Sequence, residues 1–172
     1  MSATTLGTSG RPYLFSALLM TTGMAVVILS ALGFQHIGGY IPCALCLLQR
    51  WPYYIGVPVA ALAALSALFD LPPTVTRALL AVATLCMVVS IGLGIYHSGV
   101  EWKFWPGPAT CSSSAATIAT DTGDLLNDLT NQHGPSCTDA SLRVLGLSFA
   151  GWNVVVSLVL AGIGLRGVLK AA

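Results

Sequence analysis

The chain has 172 residues, of which 55% are hydrophobic and only 8% charged, with a mean hydropathy of +0.82. A soluble domain carries about 25% charged residues, so seven Lys+Arg and six Asp+Glu are too few to coat a water-soluble globule of this length. A net charge of +1 excludes the basic face that phosphate binding demands, and with it nucleic acid as a partner; the apolar balance excludes a disordered chain.

The charged residues and histidines divide the chain. None falls between Arg11 and His36, between Arg50 and Asp70, between Arg77 and His97, or between Arg143 and Arg166. Each gap suits the roughly 17 to 25 residues that cross a hydrocarbon core as a helix, and in lipid the backbone must satisfy its own hydrogen bonds. The sequence therefore predicts an all-α membrane protein, a four-transmembrane-helix bundle forming one domain over 1–172, with spans at about 14–34, 51–69, 78–96 and 144–165. Ala31-Leu32-Gly33 offers a small-residue cleavage site, but the apolar stretch before it exceeds a signal core and follows one basic residue, so it reads as a retained span.

Four spans put both termini on one side of the membrane. The loop from Gln35 to about Cys46 and the long polar loop 97–143 share the other. Arg11, Arg77, Arg166 and Lys170 lie on the terminal side, against Arg50, Lys103 and Arg143 on the loop side, a small excess that makes the termini cytoplasmic. Cys43, Cys46, Cys111 and Cys137 all fall in the two loops, and paired cysteines persist on the oxidising side of a membrane. Both arguments make the loops exoplasmic. Within the long loop, Leu125, Leu126 and Leu129 behind Asp121 and Asp124 predict a short amphipathic helix over Asp121 to Thr130.

Cys43-Ala44-Leu45-Cys46 is a C-x-x-C motif opening the second span, with Pro42 before it. A helix N-terminus favours a thiolate, the reactive form in disulfide exchange. Arg50, four residues beyond Cys46, shares its helical face and sits where a charge is costly unless it is used. The motif alone also fits an inert disulfide or half of a zinc site. Cys111 and Cys137 form no second C-x-x-C, so no metal is expected, and they read as a second disulfide, either a staple or an exchangeable pair. Cys86, inside the third span, reads as packing.

Pro42-Cys43-Ala44-Leu45-Cys46 with Arg50, Tyr96 to Glu101, Trp105 to Cys111, Pro135-Ser136-Cys137 and Leu145 to Asn153 together resemble, in order and spacing, the quinone-linked disulfide oxidases of bacterial inner membranes, the DsbB family. The resemblance implies a multi-pass protein of that membrane, with both termini cytoplasmic and the cysteine loops periplasmic. It implies a thiol:quinone oxidoreductase that reoxidises a periplasmic thioredoxin-fold partner, DsbA-like, and passes the electrons through two redox-active disulfides to ubiquinone or menaquinone. By position, Cys111 receives the partner's thiolate, Cys137 is its original disulfide partner, Cys43 exchanges with the loop pair, and Cys46 is the thiolate that meets the quinone. Arg50 matches the arginine that supports the quinone, and His97 lies near the family's quinone-proximal histidine.

Several residues carry blander expectations. Trp51, Tyr53, Tyr54, Tyr96, Trp102, Trp105 and Trp152 read as an interfacial aromatic belt. Pro52 and Pro58 remove hydrogen bonds inside the second span and can open room beside Cys46. Asn153 and Ser157 read as interhelical hydrogen-bonding groups, and Glu101 and Lys103 as solvated. Two rivals remain. A vitamin K epoxide reductase-like quinone reductase places its C-x-x-C near the fourth span rather than the second, and a non-catalytic scaffold with structural disulfides gives Arg50 no special role.

Overall fold

The computed structural model describes residues 11–108, 111, 137–138, 140 and 142–169. Four long helices dominate: α1 (Arg11–His36), α3 (Trp51–Leu68), α4 (Pro73–Glu101) and α5 (Phe149–Leu169), with a short α2 (Ala44–Leu48) leading into α3. All four are long and apolar enough to cross a membrane, α2 and α3 together making one crossing. Strands β1 (Arg143–Val144) and β2 (Leu147–Ser148) form an antiparallel hairpin in front of α5, pairing Arg143 with Ser148 and Val144 with Leu147. Its two-residue turn holds Leu145 at φ 52° and Gly146 at φ 84°, the left-handed pair that a tight hairpin needs.

The helices alternate in direction. Ser66 Oγ hydrogen-bonds Thr76 Oγ1 at 2.8 Å where α3 turns into α4. A Cβ at Gly167 would meet Ser16 near the start of α1. At the opposite end, the Phe34 ring at the close of α1 packs 5.1 Å from Phe149 at the start of α5. In cyclic order α1 packs on α3, α3 on α4, α4 on α5, and α5 back on α1.

Small residues make these contacts. Ala17, Ala60, Ala63, Ala83, Ser90 and Ser157 are buried, while Phe15, Val26, Leu29, Leu85 and Val159 face outward. Lipid is as apolar as leucine, so bulky side chains lose nothing by facing it and small ones let backbones approach. Gly164 shows the effect: a Cβ there would overlap Thr84 Oγ1 and come within 2.7 Å of Met20 Sδ. Three methionines, Met20, Met24 and Met87, fill the remaining core.

Two of the boundaries that differ from the sequence expectation bear on the site. The third span was expected to end at 96, yet α4 continues to Glu101, carrying His97 and Glu101 into the bundle end. The fourth was expected from 144, but the hairpin intervenes. There Ser148 Oγ accepts from Gly151 N at 3.2 Å, capping the first turn of α5. Pro52 does not interrupt the second span from inside; it opens α3 after the break at Gln49–Arg50, where its missing N–H costs nothing. The amphipathic helix expected at 121–130 lies outside the described residues.

Candidate active site

The C-x-x-C motif sits where the chain turns from the first loop into α2. Cys43 is the N-cap residue, its sulfur accepting from Cys46 N at 3.1 Å. Cys43 and Cys46 are joined as one disulfide and Cys111 and Cys137 as another. The two pairs share a single apolar cluster, in which Cys43, Leu45, Val100 and Cys137 are buried and Cys46 and Cys111 pack against them. Residues 91 positions apart in sequence thus meet over Val100 on the last turn of α4.

Aromatic packing folds the start of the long loop back over α4. Trp105 stacks on Tyr96 with ring centroids 6.1 Å apart and donates from Nε1 to the Tyr96 carbonyl at 3.0 Å. A Cβ at Gly99 would overlap the Trp105 indole, so only glycine lets the chain fold back over α4 at this point.

Below the disulfide lies a cavity of about 310 Å³ between the ends of α1, α3 and α5. Its walls are mostly apolar, including Val26, Ile28, Phe34, Ile41, Phe149 and Val156, and Cys46, Arg50, Gln49, Gln35, Tyr53, His97 and Asn153 also line it. That size and this mixture of apolar walls with a few polar groups suit a small ring-shaped ligand. Arg50 is half-buried, and its Nη1 donates to Gln35 Oε1 of α1 at 2.5 Å. A guanidinium has five N–H donors, so this bond aims the group while others stay available to an acceptor in the cavity.

His97 is 4% exposed, deep in the bundle end. Its Nε2 is 3.7 Å from Cys43 Sγ and 3.8 Å from Glu101 Oε1, and its Nδ1 is 2.6 Å from Gln49 Nε2. Glu101, expected in solvent, is instead 9% exposed, because the extra turn of α4 brings it under the hairpin. Its Oε2 has no hydrogen-bond partner among the described residues. The ring nitrogen of His97 and the two sulfurs of Cys43 and Cys46 lie within 4.8 Å of one another, a spacing metal ligands also show. Sulfurs already bonded to each other offer no thiolate to a metal.

Polar contacts continue toward the middle of the bundle. Gln49 Oε1 accepts from Asn153 Nδ2 at 3.0 Å, and Asn153 Oδ1 accepts from Tyr53 OH at 2.6 Å. Tyr53 OH lies 2.9 Å from Ser157 Oγ, which donates to Ser90 Oγ at 3.0 Å. Asn153 and Ser157 thus hydrogen-bond between helices, as expected. Tyr53 is buried and belongs to this network rather than to the aromatic belt, whereas Trp51, Tyr54 and Trp102 are exposed. Gln35 and Gln49 were not singled out by the sequence reading; an amide side chain flanking a lone arginine in an apolar stretch is the signal that could have found Gln49.

The DsbB family profile, described as disulfide bond formation protein DsbB, matches residues 14–166. A disulfide bond formation protein B of Saccharophagus degradans is 31% identical over 163 residues, covering 92% of this chain and 95% of its own. One from Polaromonas is 26% identical over 161 residues, covering 90% of each. An uncharacterised protein of Rickettsia prowazekii is 25% identical over 147 residues, covering 83% of this chain and 80% of its own. No solved structure matches the chain.

Proposed function

Because the chain belongs to the DsbB family of membrane disulfide bond formation proteins, we propose that it oxidises the dithiol of a thioredoxin-fold, DsbA-like partner and delivers the electron pair to a quinone. One observation carries this reading. The Cys43–Cys46 disulfide stands between two compartments, with Cys43 buried in the cluster that holds the Cys111–Cys137 pair and Cys46 lining the apolar cavity.

The residues present fit a quinone. The cavity walls are apolar, Arg50 can donate to a ring oxygen, and Cys46 faces the same space. When bound there, a quinone supplies a two-electron, two-proton acceptor soluble in lipid. This acceptor gives direction to exchanges that are otherwise close to balanced, each 30 mV of potential difference contributing roughly 1.4 kcal/mol.

The protein's own residues perform the exchanges. A thiolate of the partner attacks Cys111 Sγ, and Cys137 leaves as a thiolate. The partner's second thiol then releases Cys111, so the partner is oxidised and the loop pair reduced. A loop thiolate next attacks Cys43 Sγ, and Cys46 leaves as a thiolate into the cavity beside Arg50, whose charge favours it. When the second loop cysteine restores the loop disulfide, Cys43 is released in turn. Closing the Cys43–Cys46 bond again would release two electrons and two protons on the cavity side, where Cys46 and Arg50 would hold a quinone able to take them up. Cofactor chemistry is set by position and charge supplied from the protein.

In this reading the cysteine loops are periplasmic, the termini cytoplasmic, and the membrane is the bacterial inner membrane. The test is turnover by the purified protein with a reduced thioredoxin-fold donor and ubiquinone or menaquinone. Cys46→Ser abolishes quinone reduction, and a donor lacking its second thiol accumulates as an adduct through Cys111. Undiminished turnover in Cys46→Ser would sink the assignment.

A further inference from the structure

The buried polar network fixes the protonation of His97, starting from one group whose hydrogen-bonding role is unambiguous. The Ser90 main-chain carbonyl can only accept, and Asn153 Nδ2 faces it at 3.4 Å. That orients the Asn153 amide, turning Oδ1 toward the Tyr53 hydroxyl at 2.6 Å and Nδ2 toward Gln49 Oε1 at 3.0 Å. Gln49 must then present its Nε2 to His97 Nδ1, at 2.6 Å. An amide NH₂ only donates, so Nδ1 accepts and carries no proton. The single proton of the neutral ring sits on Nε2, which faces Cys43 Sγ at 3.7 Å and Glu101 Oε1 at 3.8 Å.

We propose that Gln49 is a positioning residue for thiol exchange, holding His97 as a neutral imidazole whose Nε2–H is aimed at the Cys43 sulfur. The inference rests on the exchange reading above and adds to it how Cys43 is released. When the Cys43 bond to a loop cysteine breaks, the electron pair stays on Cys43 Sγ, and the Nε2–H donates to that sulfur. No proton leaves the ring. A second proton on Nδ1 would set two donors against each other across 2.6 Å, so His97 stabilises the thiolate by a hydrogen bond rather than by acting as an acid. Gln49 and His97 are 7% and 4% exposed, both at the wall of the cavity.

Among the described residues, the ionisable groups facing this pair come from each packed element. They are Cys46 on α2, Arg50 at the α2–α3 break, Tyr53 on α3, Glu101 on α4 and Arg143 of β1, which acts on the Glu101 carboxyl. The loop disulfide adds no charge, and α1 and α5 contribute the neutral amides of Gln35 and Asn153.

The test uses two readouts on the full-length protein in detergent micelles. Nitrogen-15 spectra of histidine-labelled protein, assigned with His36→Asn and His133→Asn, report which His97 nitrogen is protonated. Alkylation against pH, with Cys43 as the only thiol (Cys46, Cys86, Cys111 and Cys137 each →Ser), reports its thiolate. The expected result is a protonated Nε2 and bare Nδ1 in the otherwise unaltered chain, with one ionisation step in Cys43 reactivity. Gln49→Glu keeps the shape and the bond from Asn153 but turns the donor into an acceptor. The His97 proton then appears on Nδ1, and a second ionisation step enters the alkylation profile. Gln49→Leu slows Cys43 alkylation at neutral pH about tenfold, the scale of one hydrogen bond to a charged group.

A merely structural Gln49 leaves both readouts unmoved in Gln49→Glu, which overturns the proposal, as does a protonated Nδ1 in the unaltered chain. Neither readout needs a donor or a quinone. Correct tautomer and alkylation results without turnover would therefore remove the redox reading while leaving the hold of Gln49 on His97 and Cys43. Turnover with a protonated Nδ1 would do the reverse.

Discussion

Replacing Asn153 with leucine tests whether the polar network is one coupled unit. The side chain binds α3, α4 and the α2–α3 break together, accepting from Tyr53 OH at 2.6 Å and donating to Gln49 Oε1 at 3.0 Å and to Ser90 Oγ at 3.2 Å. After Asn153→Leu, Tyr53 keeps Ser157 at 2.9 Å, and Ser90 keeps Ser157 at 3.0 Å. Gln49 Oε1 is left without its partner. Interhelical bonds in membranes contribute about 0.6 kcal/mol each, and a stranded buried acceptor costs about 1–3 kcal/mol. The expected loss is therefore about 2–4 kcal/mol, measured by reversible unfolding in mixed micelles. Gln49→Leu removes the acceptor that Asn153→Leu strands, so the double variant falls short of the sum of the singles by about 1 kcal/mol. Additivity within about 0.5 kcal/mol, or a single variant as stable as the parent chain, refutes the network as drawn.

Arg50→Lys keeps the charge but loses the planar fork that Gln35 aims; quinone KM rises about tenfold, a change of about 1.4 kcal/mol, with a smaller effect on kcat. Gly99→Ala drives the Trp105 indole off Tyr96; donor oxidation slows while reduction of quinone by an artificial dithiol at Cys43–Cys46 is spared, and tryptophan fluorescence reports the displaced ring. Cys86→Ser, half-buried against the core and remote from both disulfides, leaves turnover within about twofold, since a free buried cysteine acts as a small hydrophobe. After mild reduction, a membrane-impermeant thiol reagent labels Cys111 from the periplasmic side; labelling only from the cytosolic side reverses the proposed orientation.

The four crossings were legible because charge is absent from them, a property of residues taken one at a time. The C-x-x-C at a helix entrance was legible for the same reason. What hydropathy could not show was where polar groups find partners. His97 and Glu101 look like the start of an aqueous loop, yet α4 carries both into the bundle, where Gln49, Cys43 and the hairpin surround them. Tyr53 looks like its neighbours Trp51 and Tyr54, and only the placement of Asn153 and Ser157 on a helix 100 residues away makes it interior. The break at Gln49–Arg50 arises from Pro52 starting a helix rather than bending one, a distinction the spacing of prolines does not carry.

The central claim is that the Cys43–Cys46 disulfide joins the loop pair to the quinone cavity. Its most direct test is anaerobic stoichiometry: donor dithiol oxidised against quinone reduced, measured together by thiol titration and quinone absorbance. The account predicts one quinone reduced for each donor disulfide formed, with both processes lost in Cys46→Ser. Donor oxidation continuing past two equivalents per protein without quinone, the capacity of its two disulfides, or quinone reduction persisting in Cys46→Ser, contradicts it.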